Sequence, residues 1–198
     1  MKKLIFIALL SLGFWNCSED DSSIVPLTSV EEEDLLTLRE EEKLARDVYL
    51  YAYDKYGLNI SNNISKSEQT HMDKILSLLT KYGIEDPVIP IRGEFRNQTL
   101  QALYNDLTAQ VDISELEALK VGATIEDLDI KDIEDFESRT DKSDILNVYE
   151  KLKCGSRNHM RAYYSQLLSR GYTYEAQYIT DDDLLIIVNS ENERCGRN

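Results

Sequence analysis

The sequence predicts an all-α fold, a four-helix bundle with one long crossover that contains a short extra helix. Three observations carry this. Apolar residues recur at three- and four-residue intervals over four long segments. No alternating apolar–polar run of useful length appears. With 8 Gly and 3 Pro in 198 residues, the chain has too few turn residues for a dense all-β protein. Its length suits one domain plus short tails, and 42% hydrophobic residues can fill a core.

The first helix spans Glu31 to Tyr56, with Leu35, Leu38, Ala45, Val48, Tyr49, Ala52 and Tyr56 on its stripe, and Gly57 closes it. Ser65 or Ser67 caps the second, which runs to Tyr82 and ends at Gly83 and Pro87. Residues 84–97, with Pro87, Pro90 and Gly93, form a loop, and a short helix follows from about Thr99 to Gln110. Ser114 with Glu117 three residues on has the capping-box pattern and opens the third long helix toward Phe136. Ser143 opens the fourth, which continues to about Arg170. The bundle therefore occupies residues 31–172. In the tail, 173–198, the stretch before Ile179 admits an extended conformation, and Asp181-Asp182-Asp183 suits the first turn of a small helix through Val188.

The N-terminus reads as an address. Met1-Lys2-Lys3 precedes an apolar run from Leu4 to Trp15, too short to span a bilayer, and Cys17 stands directly after it. This order, followed by Ser18-Glu19-Asp20-Asp21-Ser22-Ser23, resembles a bacterial lipoprotein signal: residues 1–16 removed, Cys17 lipidated, 17–30 a polar leash. Phe14-Trp15-Asn16 are bulkier than the residues usual before such a Cys, so ordinary signal cleavage nearby is the other reading. Both put the chain outside the cytoplasm, and the lipid puts it at the outer membrane or cell surface. An oxidising compartment permits a Cys154–Cys195 disulfide, and the sequence is equally compatible with two free thiols. The formal charge of −15, from 37 acids against 22 bases, repels nucleic acid and anionic lipid head groups. Three Cys and two His leave no room for a zinc finger or iron–sulfur domain.

Both histidines, and one acid or more on three of the long helices, fall on stripes that should be apolar. Glu42 shares the face of Leu35, Leu38, Ala45 and Tyr49, whereas Glu40 and Glu41 point elsewhere as ordinary solvated acids. Glu68 and His71 align with Ile64, Ile75 and Leu78. Glu126 lies with Leu119, Ala123, Ile130 and Ile133, and Asp129 is one turn on. His159 shares its side with Leu152, Ser156, Ala162 and Tyr163. Unpaired carboxylates in a core cost several kcal/mol each, and Lys and Arg are scarce on these stripes. A pair of divalent metals supplies about four positive charges and takes both oxygen and imidazole ligands. Glu-x-x-His aims two side chains at one ion from adjacent helical turns. The alternative is a structural polar network with no metal.

Four segments carry a resemblance over about residues 35–170: Glu41-Glu42-Lys43-Leu44-Ala45-Arg46-Asp47-Val48-Tyr49, Ser67-Glu68-Gln69-Thr70-His71-Met72, Val121-Gly122-Ala123-Thr124-Ile125-Glu126-Asp127-Leu128-Asp129-Ile130 and Gly155-Ser156-Arg157-Asn158-His159-Met160-Arg161-Ala162. They resemble the ferritin-like superfamily of di-iron carboxylate proteins and, more narrowly, the bacterial DUF2202 family. The resemblance implies a ferritin-like bundle with Glu42, Glu68, His71, Glu126 and His159 as metal ligands, Glu68 bridging, and Glu126 a second candidate bridge. It also implies two iron ions as cofactors, with manganese as the alternative. Such proteins usually carry a second Glu-x-x-His on the last helix; here Ser156 fills the Glu slot, and Asp129 is the candidate substitute. The activity this implies is an oxidase, peroxidase or ferroxidase using O2 or peroxide, with electrons from an outside donor. The alternative function is a surface binding or scaffold lipoprotein whose metal site is structural or absent. Tyr49 and Tyr163, near the ligands, fill core or pass electrons; Arg46 and Arg161 serve the acids around the site.

Overall fold

The computed structural model describes residues 25–196 and shows six helices and no strand among them: α1 (Ser29–Tyr56), α2 (Asn59–Tyr82), α3 (Gln98–Val111), α4 (Glu115–Glu137), α5 (Ser143–Leu168) and α6 (Asp181–Asn189). The expected signal sequence and lipidated Cys17 fall outside the described residues, and within these no helix is long and apolar enough to cross a membrane.

Helix α1 opens on a reciprocal cap that the sequence reading did not single out. Thr28 Oγ1 accepts from Glu31 N (3.2 Å) while Glu31 Oε2 accepts from Thr28 N (2.8 Å). Gly57, at φ 68°, turns the chain so sharply that α2 begins at Asn59, which corrects the expected start at Ser65 or Ser67. Both serines sit inside α2, and no side chain caps it. Ser114 caps α4 as expected by accepting from Glu117 N (3.1 Å), but the Glu117 carboxylate takes Lys120 instead of closing the box. Residues 172–179 are irregular and held by buried Asp127, which accepts from Tyr174 Oη and from the backbone N–H groups of Gln177, Tyr178 and Ile179.

Contacts at one end of the bundle set the helix directions. Arg139, just past α4, pairs with Asp34 near the start of α1, and Thr140 donates to Glu31. Lys81 and Tyr82, ending α2, meet Asp144 at the start of α5. Helices α2 and α4 therefore both finish where α1 and α5 begin, and the connection 83–114 must run the length of the bundle. Its helix α3 packs on α1 and α4. Fully buried Lys43 pins this crossover: its Nζ donates to Asp47 (2.7 Å) and to the carbonyls of Ile91 and Glu94, and lies over the Phe95 ring. Glu40 and Glu41, expected in solvent, are buried. The crossover covers Glu40, which accepts from the N–H groups of Arg96 and Asn97, and Glu41 lies beside Asp132 of α4.

Cys154 of α5 and Cys195 form a disulfide, and Glu193 beside it accepts from Arg157 and Arg161. Closing a loop over a sequence separation of 41 stabilises the fold by about 4 kcal/mol. A Cys154→Ser/Cys195→Ser variant is expected to lose about 3–4 kcal/mol of stability, read from chemical denaturation.

The core is divided. One apolar cluster holds Leu35, Leu38, Ile75, Ile133, Phe136 and Leu152; the other holds Ala45, Val48, Ile64, Ala123, Met160 and Tyr163. Between them, every long helix contributes buried polar residues: Glu41 and Glu42, Glu68 and His71, Glu126 and Asp129, and Ser156. His159 joins this layer, partly exposed at its edge.

Candidate metal centre

The layer contains two ligand triads that share one residue. Glu42, Glu68 and His71 each bring a donor atom within 4.8 Å of the others, and Glu68, Glu126 and His159 do the same. Glu68 Oε2 lies 2.8 Å from His71 Nδ1, and Glu68 Oε1 lies 2.9 Å from His159 Nδ1. Glu42 Oε2 is 3.2 Å from His71 Nδ1, and Glu126 Oε2 is 3.3 Å from His159 Nδ1. The imidazole rings stack 5.7 Å apart, one per triad.

These donors fit a pair of cations. Glu42 Oε1, both Glu68 oxygens, Glu126 Oε2 and His159 Nδ1 are buried without a hydrogen-bond partner, although the Nδ1–carboxylate distances are short. Close approach without hydrogen-bond alignment is what results when several lone pairs point at a common centre. Glu42, Glu68, Glu126 and Asp129 together carry four negative charges when ionised, the number two divalent ions balance.

Of the six residues the sequence singled out as ligands, the structure brings five into the triads. The sixth, Asp129, is buried next to them with Oδ2 unpartnered, and belongs to neither. Ser156 does not aim a ligand inward; its hydroxyl donates to Leu152 O. Each histidine is held in place from behind. Ser67 Oγ sits 3.0 Å from His159 Nε2, and Gly155 leaves the space taken by the His71 ring. Ser67 was legible only as a helix cap, because its partner is on a helix far away in sequence. Tyr49 donates to Glu126 Oε1 at 2.5 Å, and its ring packs on Tyr163, whose own hydroxyl lies 3.3 Å from Ser61. Arg46 binds Asp47 and Gln69, and Arg161 binds Glu193, so both act outside the triads.

Burial pushes the Glu42 carboxyl up to about 7 against the pull of His71. Burial opposes the charge on His71, but Glu42 and Glu68 outweigh it and raise the imidazole to about 9. Glu68 is opposed by burial too, yet the two histidines hold it well below the carboxylate range. Burial and neighbouring acids keep Asp129 well above its ordinary value. The consequence for the metal-free fold has a definite sign. Between about pH 4.5 and 9 the folded state holds protons on Glu42 and His71 that the unfolded state has released, so its stability falls as pH rises. The His71 contribution is fully present below its unfolded value of 6.5 and is lost through about 9. Glu68 acts in the opposite sense, but below this window. A metal held by these groups would compete with the same protons, so its affinity would rise over the same interval. Thermal melts with and without chelator from pH 5 to 9 check this: the metal-free midpoint is expected to fall and the gap to the loaded protein to widen.

Comparison with known proteins adds kinship. A family model described as uncharacterized protein domain (DUF2202) matches residues 31–191. The chain is 51% identical over 170 residues to the uncharacterized protein MJ0754 of Methanocaldococcus jannaschii, covering 85% of this chain and 92% of that one. A crystal structure of hypothetical protein MJ0754 superposes with a TM-score of 0.84 at 50% identity, over 86% of this chain and 98% of the other.

Proposed function

The chain belongs to the DUF2202 family, and from that premise and the paired triads we propose that it is an extracytoplasmic, ferritin-like dinuclear metal protein with two iron ions as the resident pair. The observation that carries this reading is Glu68, which turns one oxygen to each histidine and has no other partner for either. When bound, two such ions supply redox equivalents and Lewis acidity toward O2 or peroxide, the chemistry of an oxidase, peroxidase or ferroxidase.

The chain's own residues divide the work. His71 and His159 give each site one nitrogen, and Glu42 and Glu126 give each a carboxylate of its own. Ser67 orients His159, and the Tyr49 hydroxyl holds Glu126 Oε1 so that Oε2 faces the site. Asp129 is a neighbouring carboxylate able to take a proton or to swing into the coordination sphere. The same reading has the chain anchored by lipid at Cys17, and the Cys154–Cys195 disulfide supports an oxidising compartment.

Metal content measured by plasma mass spectrometry after anaerobic loading with Fe(II) or Mn(II) tests this, followed by O2 or peroxide addition to the iron form. Two ions per chain and consumption of the oxidant support the proposal. Absence of metal at saturating supply refutes it and leaves a helical binding module.

A further inference from the structure

A line of acids, all but Glu126 outside the triads, leads toward the centre from the surface. On α4, Glu126, Asp129 and Asp132 are spaced three apart and share a face, and α1, packed on that helix, adds Glu41 and Asp34. Burial lessens outward from Glu126 and Asp129, both enclosed, to the half-buried Asp132. Across the contact of α1 with α4, the Asp132 charge pushes the Glu41 carboxyl up, and the Glu41 charge in turn adds to the rise at Asp129. Glu41 Oε2 and Asp129 Oδ2 are buried and have no hydrogen-bond partner. The nearby basic residues sit at the outer end, where Arg139 pairs with Asp34 and Lys131 with Asp135.

Two buried carboxylate oxygens left without donors are costly, and in this seam nothing in the chain compensates them. A passing cation does. We propose that the seam between α1 and α4 is the route by which divalent cations reach the centre, with Asp132 collecting the ion and Glu41 and Asp129 relaying it to Glu42 and Glu126. The inference rests on the dinuclear reading above. Among the described residues, Glu41, Asp129 and Asp132 do not form a donor cluster tight enough to retain an ion. A relay requires that weakness, since an ion must leave each station as readily as it arrives.

The test is the rate of Co(II) uptake by the metal-free chain, followed by stopped-flow visible absorption, with final stoichiometry from plasma mass spectrometry. Glu41→Gln and Asp132→Asn are compared with Asp106→Asn, which removes the same charge from an exposed position on α3. Both seam variants are expected to load about tenfold more slowly and to reach the wild-type stoichiometry, while Asp106→Asn loads at nearly the wild-type rate. Wild-type rates in both seam variants overturn the route. So does equal slowing in Asp106→Asn, which makes the effect one of overall charge, and so does loss of final stoichiometry in Glu41→Gln, which makes Glu41 a ligand. If the wild-type chain takes up no Co(II), the dinuclear reading itself fails, an outcome distinct from these.

Discussion

Replacing Glu68 by Ala is expected to empty both metal positions, whereas Glu42→Ala empties one and leaves the other. The asymmetry follows from geometry. Glu42 belongs to the His71 triad alone, but Glu68 belongs to both and commits a different oxygen to each histidine. Without it, each site keeps one carboxylate and one imidazole, too few donors to hold an ion against water. Metal-to-protein ratios of the two variants, measured side by side at saturating Mn(II), decide the matter. Equal losses would mean that the sites are not linked through Glu68.

Gly155→Ala is expected to lower metal affinity by about 10- to 100-fold, without removing any ligand. A Cβ at this position would stand 2.6 Å from His71 Nε2 and 2.7 Å from its Cε1. The ring cannot retreat freely, because its other nitrogen is engaged by Glu42 and Glu68 within a buried layer. Alanine in the middle of a helix normally gains about 1 kcal/mol over glycine. A loss of stability of about 1–3 kcal/mol here can therefore be traced to the displaced imidazole. Chelator competition reads the affinity, and denaturation of the metal-free form reads the stability. A variant with unchanged affinity and raised stability would show that the ring has room to move.

Helical periodicity made most of the fold legible, because each long helix buries one stripe and the stripes are regular. The same regularity exposed the site: Glu42, Glu68, His71, Glu126 and His159 interrupt those stripes, and they are the residues that converge. What escaped was non-local. Glu40 and Glu41 lie off the main stripe of α1, and only the crossover and the neighbouring α4 explain their burial. The start of α2 was misplaced because capping serines suggested a boundary, whereas the left-handed turn at Gly57 had already delivered the chain into the helix. Asp129 was drawn in by its spacing from Glu126, yet it lies beside the triads and not within them. The Cys154–Cys195 pairing depended on where α5 meets the returning tail, which no spacing encodes.

The division of the interior has a mechanical meaning. Apolar side chains in contact pass deformation to one another, so a continuous core melts as one body. Here two such bodies are stacked along the same four helices and separated by a plane of mutually repelling carboxylates. With that plane unneutralised, each body is a candidate to unfold on its own, and amide hydrogens on either side exchange with separate opening energies. Cations held in the plane, as proposed, would replace repulsion with shared bonds to every long helix. The metal would then be a coupling element that makes one cooperative unit out of two.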